Sequence, residues 1–199
     1  MSDTNAGPDS EEQPLPIRGD NPLKVGGFCL SAGGDWNALA WGYKRAADIL
    51  AEHVLATFSG GDLIIYPIVL LYRHHIELTL KDIIRRGNAL LDVPVKQRDI
   101  HSLGELWDDC RTVLERSGVP VDVPELPELV PFETCIKVFE TFDPRGESFR
   151  YPETKSGKPT LPSNLNSIDL PELRKVVQRM SFFLEITRDT IIERTGGFC

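Results

Sequence analysis

Four residues that could do chemistry together stand in the segment Asp62–Arg86, DLIIYPIVLLYRHHIELTLKDIIRR. On a helix turning about 100° per residue, with Arg73 at zero, Glu77 falls near 40°, Lys81 near 80° and His74 near 100°. Arg73, His74, Glu77 and Lys81 therefore form one polar stripe. Val69, Tyr72, Ile76, Leu80, Ile83 and Ile84 flank it on one side, and Leu71 and Leu78 on the other. Arg73 with Glu77, and Glu77 with Lys81, have the four-residue spacing of helical ion pairs. Unpaired buried charge is costly, so the stripe is either an ion-pair network that pins the fold or a site. His75, Thr79, Asp82 and Arg86 fall on the remaining face, which reads as solvated surface.

Two further segments supply partners. Phe149-Arg150-Tyr151-Pro152 is predicted to be extended, because Pro152 disfavours helical geometry at Tyr151. Such a strip could lay Arg150 onto Glu77 and drive Phe149 into the core, closing a loop over the stripe. Arg150 and Tyr151 also offer a guanidinium fork for phosphate and a ring for a base. His101 heads a later helix. His74, Glu77 and His101 invite a metal reading, but nothing at recognisable spacing supplies a fourth ligand, so neither a metal nor a cofactor is expected. His53 stands alone on the first helix. No P-loop, Rossmann glycine pattern, nucleophile elbow or zinc-deaminase pattern occurs.

The elements that must position these groups read as helices. Asp35 is a plausible N-cap for a helix to Phe58, with Trp36, Leu39, Tyr43, Ala47, Leu50, Val54 and Phe58 as its core stripe. Ser59-Gly60-Gly61 ends it and implies an antiparallel neighbour. Pro67 implies that the second helix starts near Ile65 or bends, and Gly87 is expected to terminate it. Ser102 and Glu105 make a capping box for a helix over 103–117. A Pro-rich linker precedes a helix over 128–142, carrying Phe132, Ile136, Phe139 and Phe142. Residues 143–164 are dense in Gly and Pro and read as an ordered, irregular loop. Asp169 and Glu172 cap a last helix to about Glu193. The fold class is therefore all-α, an antiparallel bundle of about five helices with a long irregular loop before the last. Residues 1–20 are too polar to offset their ordering entropy and read as a disordered tail, with residues 21–199 as one domain.

The net charge of −8 argues against broad capture of nucleic acid, while leaving room for a local basic cleft. Cys29, Cys110, Cys135 and Cys199 show no paired spacing and read as reduced, mostly buried thiols. The apolar run Leu63–Tyr72 is far short of the roughly 20 residues of a membrane span, and polar residues follow Met1, so a cytoplasmic, membrane-free chain is expected.

The order RHHIELTLK at 73–81, a His-Ser-Leu helix start at 101–103, and DPRGESFRYP at 143–152 resembles the HEPN superfamily of bacterial helical bundles. The likeness spans roughly Asp35 to Glu193. It implies a dimeric all-α domain of the kind associated with toxin–antitoxin and antiphage systems, many of whose members cut RNA without a metal. Cutting members carry an Arg followed by a His after roughly four to six residues, one to two helical turns. This chain departs from that pattern: His74 directly follows Arg73, two residues separate Arg98 from His101, and seven separate Arg45 from His53. The resemblance thus implies a non-catalytic homodimeric module that binds RNA, a nucleotide or a protein partner encoded in the same operon, with Arg73, His74, Glu77, Lys81, Arg150 and Tyr151 as its ligand-binding residues. The alternatives are a metal-independent ribonuclease, with His74 or His101 as acid/base and Arg73 or Arg150 on the scissile phosphate, and a purely structural partner-binding subunit.

Overall fold

The computed structural model describes residues 35–94, 100–119 and 132–194. They form five helices: α1 (Trp36–Thr57), α2 (Gly61–Leu90), α3 (Leu103–Ser117), α4 (Phe132–Phe142) and α5 (Leu170–Arg194). No strand occurs among the described residues; a single bridge pairs Glu153 with Pro159. The all-α bundle read from the sequence is what the chain forms. The tail over 1–20, the segment Leu23–Ala32, the Pro-rich linker before α4, Cys29 and Cys199 lie outside the described residues.

Local capping sets most boundaries. The Asp35 side chain accepts from the Asn37 N–H and opens α1, Ser102 accepts from Glu105 N–H and opens α3, and Asp169 accepts from Glu172 N–H ahead of α5. Phe58 and Gly60 both adopt left-handed backbone in the tight α1–α2 turn, which lays the two helices side by side.

α2 is the centre of the bundle, packed against α1, α3 and α5. Its Ile68, Tyr72, Ile76, Leu80 and Ile83 join Ala47 and Ala51 of α1, Leu103 and Leu114 of α3, Ile136 of α4, and Val177, Leu184 and Ile191 of α5 in one core. Each fully buried Leu or Ile contributes about 1.5–3 kcal/mol. α2 also has the length and mean hydropathy of a membrane span. However, its middle buries Arg73, Glu77 and Asp82 among neighbouring helices, which is the pattern of a core helix.

Four expectations are corrected. α2 starts at Gly61 rather than near Ile65 and continues as helix through Pro67, beyond its first turn. α2 also continues past Gly87, whose role is proximity: a Cβ built there would lie 2.1 Å from Val113 Cγ1, so α3 approaches where α2 has no side chain. The α1 core face keeps Ala47, Leu50 and Val54 of the predicted stripe and adds the small Ala40 and Ala51, while Leu39 and Phe58 are exposed. Finally, His75, Thr79 and Asp82 are buried rather than solvated. Three helices enclose α2 and each polar group finds a partner inside. Thr79 donates to the His75 carbonyl, His75 bridges the Ala40 carbonyl of α1 (3.0 Å) and Ser181 of α5 (2.8 Å), and Asp82 gathers Arg85, Arg86 and Arg188.

Candidate functional site

The polar stripe is sheltered and closed into one cluster. Glu77, 3% exposed, is its hub. Its Oε2 meets Arg73 Nη1 at 3.0 Å, and its Oε1 accepts from Lys81 Nζ at 2.8 Å and faces His101 Nδ1 at 3.0 Å. His74 Nδ1 lies 4.0 Å from Oε2, and its ring packs edge-on against Tyr43 at 4.5 Å. Burial works to raise the Glu77 pKa, but its polar contacts with His74, Lys81 and His101 outweigh it and hold the carboxyl well below the usual range. Glu77 is therefore an anion at any physiological pH.

Arg73 points inward. It is 2% exposed, and each nitrogen is committed: Nη1 to Glu77, Nη2 to the His101 carbonyl, and Nε to Asp143, 3.3 Å from its carbonyl and 3.2 Å from Oδ2. Asp143 follows α4 directly and is itself buried. Its Oδ1 accepts from the N–H groups of Glu147 (2.8 Å) and Ser148 (2.9 Å), so one carboxylate folds the DPRGESF turn and docks it on α2. Phe149 enters the core beside Tyr66, as expected. The turn does close over the stripe, but not through Arg150. That residue is exposed, and the loop residue in the cluster is the carboxylate Asp143. The predicted contact between Arg150 and Glu77 is thus replaced by one between Asp143 and Arg73. Asp143 turns inward because its other oxygen is already held by the turn's own backbone.

His101 is positioned from α4 as well. Glu140 Oε1 accepts from the N–H groups of Leu103 (2.6 Å) and Gly104 (3.2 Å), a carboxylate seated on the α3 N-terminus where the helix dipole favours it. With Ser102 as cap and the His101 carbonyl on Arg73, the start of α3 is fixed against α2. The His101 side chain remains 48% exposed. The contact of its Nδ1 with Glu77 Oε1 orients the imidazole ring.

The cluster thus has a buried half, Arg73, Glu77 and Asp143, and a half that reaches the surface, His74, Lys81 and His101. Arg73 and Lys81 face the carboxylates of Glu77 and Asp143, two cations against two anions. Tyr151 is 55% exposed, on the surface with Arg150 and apart from the buried half. Among the described residues no three His, Cys, Asp or Glu side chains are arranged to hold a metal ion. Cys110 and Cys135 are buried free thiols, with burial pushing both upward in pKa.

Asp143, Glu140 and the Asp82 network were missed in the sequence. Asp143 carried a signal, since Asp-Pro-x-Gly is a turn pattern whose first residue caps the following N–H groups. Glu140, distant in sequence from its partners, carried none.

No family model matches the chain, and neither a curated protein nor a solved structure matches it.

Proposed function

We propose that the chain is a cytoplasmic, HEPN-like binding or regulatory module without catalytic activity. It acts as a homodimer on RNA, a nucleotide or a protein partner, in the bacterial defence or toxin–antitoxin setting that the resemblance implies. One observation carries the non-catalytic part: every nitrogen of the Arg73 guanidinium is engaged inside the protein. A ribonuclease needs a cation to hold the scissile phosphate as charge develops, and Arg73 and Lys81 are each already paired with carboxylates. The buried half serves as the frame, and His74, Lys81 and His101, with Arg150 and Tyr151, form the ligand-facing surface.

The ribonuclease alternative is favoured by the Glu77–His101 pair, which resembles an oriented general base. End-labelled RNA incubated with purified protein separates the two readings. The expected result is intact RNA at every time point. Cleavage that His101→Ala abolishes in a folded protein would replace the binding module with the enzyme. Light scattering of the purified chain tests the homodimer, for which a monomer mass is the contrary result.

A further inference from the structure

The lobe over residues 143–160 is built rigidly, yet it presents its charged groups to solvent. Its frame is fixed by Asp143 on Arg73, by Phe149 in the core, and by a reciprocal pair in which Ser148 Oγ donates to the Thr160 carbonyl (3.1 Å) and Thr160 Oγ1 reaches the Ser148 carbonyl (3.3 Å). The Thr160 N–H donates to the Pro152 carbonyl and the Thr154 N–H to the Lys158 carbonyl, folding residues 152–160 back as a short hairpin beside Tyr151. On this frame Arg145, Arg150, Lys155, Lys158 and Tyr151 are all exposed. Among the described residues none of these four cations makes an ion pair, whereas every Arg and Lys of α2 does. Four cations against two exposed carboxylates, Glu147 and Glu153, make the lobe locally basic in a chain of net charge −8.

Cations held on a preformed surface without internal partners fit a polyanion, because little ordering cost is left to subtract from binding. The exposed ring of Tyr151 beside Arg150 selects among polyanions, since a ring adds affinity where unpaired bases can stack on it. Resting on the binding-module reading, we infer that the 143–160 lobe is a platform for a single-stranded polynucleotide, with Arg145, Arg150, Lys155 and Lys158 on its phosphates and Tyr151 stacked on a base. Recognition is by backbone and stacking, so sequence preference is weak.

The test is fluorescence anisotropy of the full chain with labelled oligouridylate, the matching duplex RNA and a polyglutamate peptide over a salt series. Single-stranded RNA is expected to bind, with a slope of log K on log salt of about −3 for four phosphate contacts. The fourfold variant Arg145→Gln, Arg150→Gln, Lys155→Gln, Lys158→Gln should flatten that slope and weaken binding at least about thirtyfold. Tyr151→Ala should weaken it about tenfold with the slope unchanged. All five positions are exposed, and an unchanged melting temperature verifies the fold. Duplex or polyglutamate binding as tight as the single strand overturns the inference in favour of an unselective polyanion or an acidic protein partner. RNA binding that survives the fourfold variant but is lost in Lys81→Gln moves the platform to the helical cluster and leaves the binding-module reading standing. Absence of RNA binding in the wild type overturns the polynucleotide inference and leaves a protein partner as the module's ligand.

Discussion

Gly146 lies directly on the guanidinium of Arg73: a Cβ built on it would stand 2.9 Å from Nη1 and 3.2 Å from Cζ. Its φ of +72° is also one that L side chains rarely adopt. The lid and the buried cation therefore fit only if this residue has no side chain. Gly146→Ala is expected to destabilise the fold by about 1–3 kcal/mol, from left-handed strain and displacement of a buried ion pair. Urea unfolding measures it, and stability unchanged within error would mean that the lid is not seated on Arg73.

A second glycine separates two readings of α2 by the sign of one substitution. If Gly87 merely ended or weakened the helix, Gly87→Ala would stabilise by up to about 1 kcal/mol through helix propensity. Because the added methyl collides with Val113, a loss of about 1–3 kcal/mol is expected instead. Val113→Ala in the same chain should recover part of it, read by thermal or denaturant melts.

The buried His75 gives a pH dependence of defined sign. Burial drives its pKa down to about 4, against the upward pull of its bond to the Ala40 carbonyl; nearby Lys44 lowers it and Asp48 raises it. The unfolded chain, with an ordinary imidazole near 6.5, takes up the proton first. Stability is therefore complete above pH about 6.5 and falls as pH drops towards 4, by up to about 3 kcal/mol. Glu77 and Asp82, both held below the usual carboxylate range, lose their contributions at still lower pH. Denaturant unfolding between these limits should show the slope in the wild type and a flatter profile in His75→Gln. Parallel profiles would contradict the assignment.

What the sequence made legible was local. The caps Asp35, Ser102 and Asp169 signal through their own neighbours, and the membership of the Arg73–Glu77–Lys81 stripe follows from helical spacing alone. The orientation of α2 was not legible. Periodicity assigns one face to solvent, but a central helix touched by α1, α3 and α5 has no such face to spare, and His75, Thr79 and Asp82 are short enough to be satisfied inside. The closing contact was half legible. The loop offered both Arg150 and Asp143, and only the folded turn decides that the carboxylate, already bound to the N–H groups of Glu147 and Ser148, is the one that turns in. Gly87 read as a helix terminator, and Gly146 only as part of a loop dense in Gly and Pro, because sequence shows the missing side chain and not the neighbour that fills its space.

The central claim is that Arg73 is a frame residue bound to the lid rather than a clamp for a ligand. A double-mutant cycle with Arg73→Met and Asp143→Asn, measured by denaturant unfolding, tests it most directly. Asn keeps an oxygen for the turn N–H groups, so the cycle isolates the charge. Arg73→Met should cost about 3–5 kcal/mol, because it leaves Glu77 and Asp143 buried without their cation. The pair should show a coupling of at least about 1 kcal/mol, the double variant losing less than the two single losses combined. Additive losses, with Arg73→Met near wild-type stability, would contradict it.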